Sequence, residues 1–357
     1  MRLYGIILIA LLLSGAATGS RLYPKSQYRI GEDARTLSSL DEDYLVGGLE
    51  TIYHFRKPLT YLTNYSPSDN VSASYLTGDS IVVALSSGTL RLYDRNFSLR
   101  WTVSLPSYVG YEQALYSDGS RILVGDMQGN ILLMNEDGSL DWTYKTDAYV
   151  INVKIVGDRV LAVSDKAVYV LSGDGALLER LPFESYIIGS EISPEGIIIS
   201  TGDEHLHRIS LSGMTVSSLN VQDPAVAIIS SGNRTYVGTR DGMILAMEIG
   251  GNVSWERAVN GSVISFAISD EGVIASTLNN KVYVLSRHGV LRREYETSSR
   301  ITKIIVNGGQ MILVSADGII YLADIPVKRR LDNLLTVGIL ALSLLASSYI
   351  LARFWKT

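Results

Sequence analysis

Four histidines and no cysteine make up the most reactive part of this chain. His205 and His207 lie two apart, so on a β-strand both rings project from one face. With Asp203 or Glu204 they form a weak candidate metal site, because no third ligand is fixed by spacing. His54 and His288 stand singly. No G-x-S-x-G, P-loop, H-E-x-x-H or EF-hand pattern occurs. The missing cysteine excludes disulfides, thiolate catalysis, thiolate metal sites and a lipid-bearing cysteine. Catalysis needs a positioned acid, base, nucleophile or metal. The expectation is no enzyme, no catalytic residue and no cofactor.

Two other residue classes carry possible function. Sequons of the N-x-S/T type occur at Asn64, Asn70, Asn96, Asn233, Asn252 and Asn260. Chance predicts about two, so the excess marks candidate glycosylation sites on an extracytoplasmic body. Aromatic residues crowd the first half: Tyr65, Tyr108, Tyr111, Tyr149, Phe183 and Tyr186. A tyrosine offers a dry ring and a wet hydroxyl, which suits it to anchoring a protein partner.

These residues need elements to hold them, and a repeat supplies those elements. Gly129–Trp142, Gly88–Trp101 and Gly242–Trp255 are copies of one pattern, and Lys166–Leu177 and Lys281–Leu291 are weaker copies. Their first core apolar residues form the series Ile52, Leu90, Ile131, Val168, Leu206, Ile244, Val282 and Ile320. The steps are 38, 41, 37, 38, 38, 38 and 38 residues. The turn glycines Gly138, Gly175, Gly213, Gly251 and Gly289 keep the same pace. Short apolar strands and Gly/Asp/Asn turns at this period mean propeller blades.

The expected fold is all-β: an eight-bladed β-propeller of four-stranded antiparallel blades, with seven as the alternative. In one clear unit the strands A to D are expected at about 111–117, 121–125, 130–135 and 140–145. Asp118-Gly119 and Asp137-Gly138 make its turns. After the last C strand no D strand remains, and residues 21–30 are placed to supply it. Closing the ring this way removes exposed sheet edges. The listed aromatics then fall on the connections from D strands to A strands. These share a face with the B–C loops, opposite the A–B and C–D turns. The chain leaves on the turn side, so the aromatic face is expected to point away from the membrane.

Strand C, a Gly turn and a D strand ending in Trp, as in Ile131-Leu-Leu-Met with Gly138 and Trp142, resemble the PQQ-like propeller repeat. The resemblance spans roughly residues 20–326. It is strong at Trp101, Trp142 and Trp255 and fades where Thr63, Glu179, Ser217 and Arg293 replace the tryptophan. It implies that the Trp packs between blades. The quinoprotein dehydrogenase branch carries a cysteine pair, Ca²⁺-ligating residues and long insertions, which this chain lacks. The chain is similar to the non-catalytic branch, which includes the outer-membrane assembly lipoprotein, and the resemblance implies protein binding without PQQ.

The two ends concern placement. Arg2, the apolar run Ile6–Leu13 and the small residues up to Ser20 have the parts of a signal peptide over residues 1–19. Residues 333–352 form an uncharged run of the length that crosses a bilayer as a helix. A basic linker at 327–332 precedes it, and a cytoplasmic tail at 353–357 follows. Lys328-Arg-Arg330 runs against the positive-inside trend, but the sequons favour a propeller outside the cell membrane on a single-pass anchor. A net charge of −5 argues against nucleic acid. The expected function is an extracytoplasmic interaction platform for envelope or membrane proteins that aids their assembly. The alternatives are a sensor of small ligands, sugars or peptides, and an enzyme with a site in the central channel.

Overall fold

The computed structural model describes residues 20–326 except 213, 249 and 250. The expected signal peptide, basic linker, membrane helix and tail lie outside the described residues. Among the described residues no helix is long and apolar enough to cross a membrane.

The described residues form eight sheets, seven built on four strands that follow one another in the chain and the eighth on three such strands and one from the N-terminal segment. Blade 1 runs Thr36–Leu40, Asp43–Gly47, Ile52–Arg56 and Thr60–Tyr65. The seven-bladed alternative is thereby corrected: the register at Ile52 extends the ring by one blade. All eight residues of the C-strand series, from Ile52 to Ile320, are buried. In blade 8, Ile301–Asn307, Gln310–Ser315 and Ile319–Asp324 are completed by Ser26–Arg29, antiparallel to the last of them. The ring therefore closes with an N-terminal strand paired to the last strand of the propeller in one sheet, as expected. A further short strand, Ser20–Arg21, runs parallel to Leu291–Glu296, the outer strand of blade 7. The N-terminal segment thus spans two blades.

Strand character follows position. The second strands are buried on both faces, as in Gly196–Thr201, because neighbouring blades cover them. The outer D strands alternate between exposed and half-buried residues, as in Leu140–Lys145. The core is a series of clusters between blades rather than a single centre. One cluster joins Ile305, Ile312, Val314 and Ile320 of blade 8 to Tyr44, Val46 and Phe55 of blade 1.

Tryptophan and glycine form one interblade lock. Trp101, Trp142 and Trp255 each donate a ring N–H to a carbonyl in the C–D turn of the next blade: Glu136, Gly173 and Arg287, at 2.7, 2.9 and 2.9 Å. Their rings lie against Gly138, Gly175 and Gly289, where a Cβ would meet indole carbons at 2.9, 2.6 and 2.6 Å. These glycines also hold φ of +86°, +84° and +75°. No side chain fits there, and only glycine adopts that backbone without strain.

Between blades 1 and 2 the lock is reversed. Thr63 stands where the Trp belongs, and Phe97 stands at the turn-glycine position with φ +62°. Phe97 turns inward, stacking on Tyr65 with centroids 5.5 Å apart and meeting His54 edge-on. The ring is supplied from the other side of the same joint.

Candidate functional site

The A strands line the ring axis, where two cavities of about 800 and about 380 Å³ share Leu37, Ser39, Gln113, Glu191 and Lys303 in their walls. Blade 3 departs from the common plan here. Its A strand is only Leu115–Ser117, preceded by a 3₁₀ turn at Glu112–Ala114; the expected strand from residue 111 is corrected. The connection from Ser104 to Leu115 has ten residues, against four between Pro182 and Ile187, which accounts for most of the 41-residue step. The added turn pushes Glu112 into the channel. Its carboxylate accepts the Leu37 amide of blade 1 at 2.5 Å and pairs with the Lys303 ammonium of blade 8. Sequence reasoning missed Glu112; the long step was its signal.

Across the channel, burial pushes the Glu191 carboxyl from 4.5 up to about 7, opposed by the Lys154 charge and a backbone donor at Ser230. Lys154 donates to the Ile192 carbonyl at 2.9 Å. The channel therefore presents one acid that titrates near neutrality and one, Glu112, held in an ion pair.

The same long connection carries the aromatic face. Tyr108 and Tyr111 are 43% and 38% exposed, and Tyr186 on the next-but-one connection is 59% exposed. Tyr149, between them, stacks on Tyr111 with centroids 5.9 Å apart and planes at 10°. Burial, then the neighbouring Tyr111 and Asp165, push the Tyr149 phenol up to about 12, so it stays protonated and able to donate. Two of the six expected aromatics turn inward. Tyr65 ends its D strand and packs on Tyr93 and Phe97, and Phe183 packs on His207. Of the six, Tyr108, Tyr111 and Tyr186 are exposed, with Tyr149 half-buried between them, on blades 3 to 5.

Asp165 lies beneath this patch, in the B–C loop of blade 4. That loop is shorter than its equivalents: four residues separate the paired Val163 and Val168, against five between Ala84 and Leu90. This is the origin of the 37-residue step. In blades 3, 5, 6 and 8 the loop carboxylate serves its own loop, as Asp126 does by accepting the Gln128 and Asn130 amides and Asp203 by accepting the Thr201 hydroxyl. Asp241 and Asp317 do the same with Thr239 and Ser315. In blade 4 the Ser164 hydroxyl takes that role, accepting the Lys166 and Ala167 amides. Asp165 is left over. It is 6% exposed, and its Oδ1 has no hydrogen-bond partner. Burial raises its pKa, against the lowering effect of Lys166, of a backbone amide and of the Tyr149 hydroxyl. Lys166 is occupied elsewhere: its ammonium sits 3.8 Å over the Tyr186 ring and donates to the Glu184 carbonyl at 2.7 Å.

The histidine pair behaves as two strand residues. The His205 ring sits 2.8 Å from the Asp203 carbonyl, His207 sits 3.3 Å from the Thr201 hydroxyl, and the two rings stack 6.0 Å apart. Among the described residues no group of three or more His, Asp or Glu is arranged to hold a metal. All six sequon asparagines are exposed.

Solved structures share the architecture. Sqt1 from Saccharomyces cerevisiae is 14% identical with a TM-score of 0.76, over 87% of this chain and 100% of that one. BamB from Moraxella catarrhalis is 16% identical with a TM-score of 0.69, over 85% and 99%. Sqt1 from Chaetomium thermophilum, bound to the N-terminus of the ribosomal protein L10, is 12% identical with a TM-score of 0.72, over 84% and 99%. No curated protein sequence matches. Residues 86–325 match the family model described as "Outer membrane protein assembly factor BamB". With the eight closed blades and their Trp–Gly locks, that match over most of the propeller establishes that the chain belongs to this PQQ-like, BamB-type family of β-propellers.

Proposed function

We propose that this protein is a non-catalytic interaction platform, held at the cell membrane by residues 333–352, with the propeller on the extracytoplasmic side. Its binding face is the surface of blades 3 to 5 bearing Tyr108, Tyr111, Tyr149 and Tyr186, and it takes up envelope or membrane proteins during their assembly. The observation that carries this reading is the exposure of Tyr108 and Tyr111 on the lengthened connection and of Tyr186 two connections further on. Large aromatic rings in water at the edge of a groove are the usual anchors of a protein interface. Family membership supports it, and so does the Sqt1 structure, in which a propeller of this architecture holds a segment of another protein. The exposed sequons and the signal-peptide pattern support the placement outside.

Changing Tyr108, Tyr111 and Tyr186 to Ser together tests the face. The expected result is at least tenfold weaker co-purification of partners from native membranes in mild detergent, with the melting temperature within about 2 °C of the parent. Retained capture by the folded variant contradicts it. Protease added to intact cells is expected to remove the propeller; protection until permeabilisation contradicts the placement.

A further inference from the structure

Two steps in the repeat break the 38-residue rhythm, 41 and then 37, and both fall beside the same surface. The first builds the connection bearing Tyr108 and Tyr111. The second shortens the loop that holds Asp165, and the loop acid thereby loses the work its counterparts do in other blades. A buried carboxylate oxygen with no donor is an expensive thing to keep. In low dielectric its field is poorly screened and reaches out through whatever opening exists.

Backbone bonds tie the Asp165 loop to the connections that bear Tyr149 and Tyr186. The Asp165 amide donates to the Tyr149 carbonyl at 3.3 Å, and the Asp165 carbonyl accepts the Ile187 amide at 2.8 Å, next to Tyr186. The Tyr111–Tyr149 stack adds a π surface on the channel side. Asp165 has no ion pair among the described residues, and the Lys166 charge is held over Tyr186.

We propose that Asp165, Tyr149 and Tyr111 form a seat for one cationic side chain, lysine or arginine, of a bound partner protein. The carboxylate supplies charge, the rings supply cation–π attraction, and the ion completes the hydrogen bonding that the short loop leaves open. This rests on the platform reading and gives it a specificity: a basic residue anchors the partner.

The test uses the full-length chain in mild detergent and short glycine–serine peptides with a single central arginine, lysine, norleucine or glutamate. Binding is read by broadening of the peptide resonances in NMR. Arginine and lysine peptides are expected to bind at least tenfold tighter than norleucine, and glutamate not to bind. Asp165→Asn, which keeps shape and removes charge, is expected to reduce the cationic advantage to twofold or less. Tyr23→Ser, at an exposed ring beside blades 7 and 8 and outside this face, is expected to leave it unchanged. Equal binding of norleucine and arginine overturns the proposal, and so does an undiminished advantage in a folded Asp165→Asn protein. If no cationic preference exists but the triple tyrosine variant still loses its partners, the seat is wrong and the platform stands. If the preference is real and the triple variant captures normally, the platform reading fails at this face while the seat remains.

Discussion

At the residue scale, Glu191 shows how the channel stores an electrostatic cost. Its pKa rises from 4.5 to about 7, chiefly because burial disfavours the charged form. The folded state holds this proton more tightly than the unfolded one. The stabilising contribution is therefore present below pH 4.5 and is lost as pH rises through about 7. Glu191→Gln should leave stability near pH 4.5 unchanged and raise it by ~1–3 kcal/mol at pH 8. Urea midpoints of both proteins between pH 4.5 and 8 read this directly; a constant difference across that window contradicts it. Residues of this kind were invisible in the sequence. Glu191, Lys154 and Asp165 lie in ordinary strand and loop contexts, and only blade geometry buries them.

At the element scale, the repeat was legible wherever the side-chain pattern was regular. The C strands from Ile52 to Ile320 were placed by periodicity, and so was the closing strand within residues 21–30, because an unpaired edge demanded one. What escaped was compensation across a joint. Thr63 read as a lost tryptophan, whereas Phe97 replaces its bulk from the neighbouring turn. Sequence spacing within one repeat cannot display an exchange between two. Phe97→Gly removes a buried ring but relieves a positive φ, so a net loss of ~2–3 kcal/mol is expected. Adding Thr63→Trp should restore more than half of it. A double-mutant cycle by urea denaturation checks the coupling, and purely additive effects contradict the exchange. The 3₁₀ turn of blade 3 has its own consequence. Glu112→Ala leaves the Leu37 amide without its acceptor and Lys303 without its partner. A loss of ~1–3 kcal/mol is expected, held down by the partial exposure of the pair. Lys303→Met in that background should recover part of it, because the stranded charge goes. An unchanged melting temperature in Glu112→Ala contradicts the clamp.

At the scale of the whole molecule, the ring is only as closed as blade 8. Its fourth strand comes from Ser26–Arg29, and Tyr53 of blade 1 donates to the Ile30 carbonyl at 2.6 Å, tying that strand to the next blade. Removing residues 20–29 should expose the edge of Ile319–Asp324. Hydrogen exchange there and in Leu291–Glu296 should accelerate by at least tenfold before other blades respond. Uniform protection in the shortened chain contradicts closure by this segment. The aromatic face of blades 3 to 5 was half legible: tyrosine counts along the first half pointed to it, and two rings went inward because their strands packed them there. The central claim is that this face, and not the opposite one, receives partner proteins. Photo-crosslinking in native membranes tests it most directly, with a benzophenone side chain placed at Tyr186 in one protein and at Asp137, in a turn on the opposite face, in another. The account predicts strong crosslinks to other proteins from position 186 and background levels from position 137. Crosslinks confined to position 137 would contradict it.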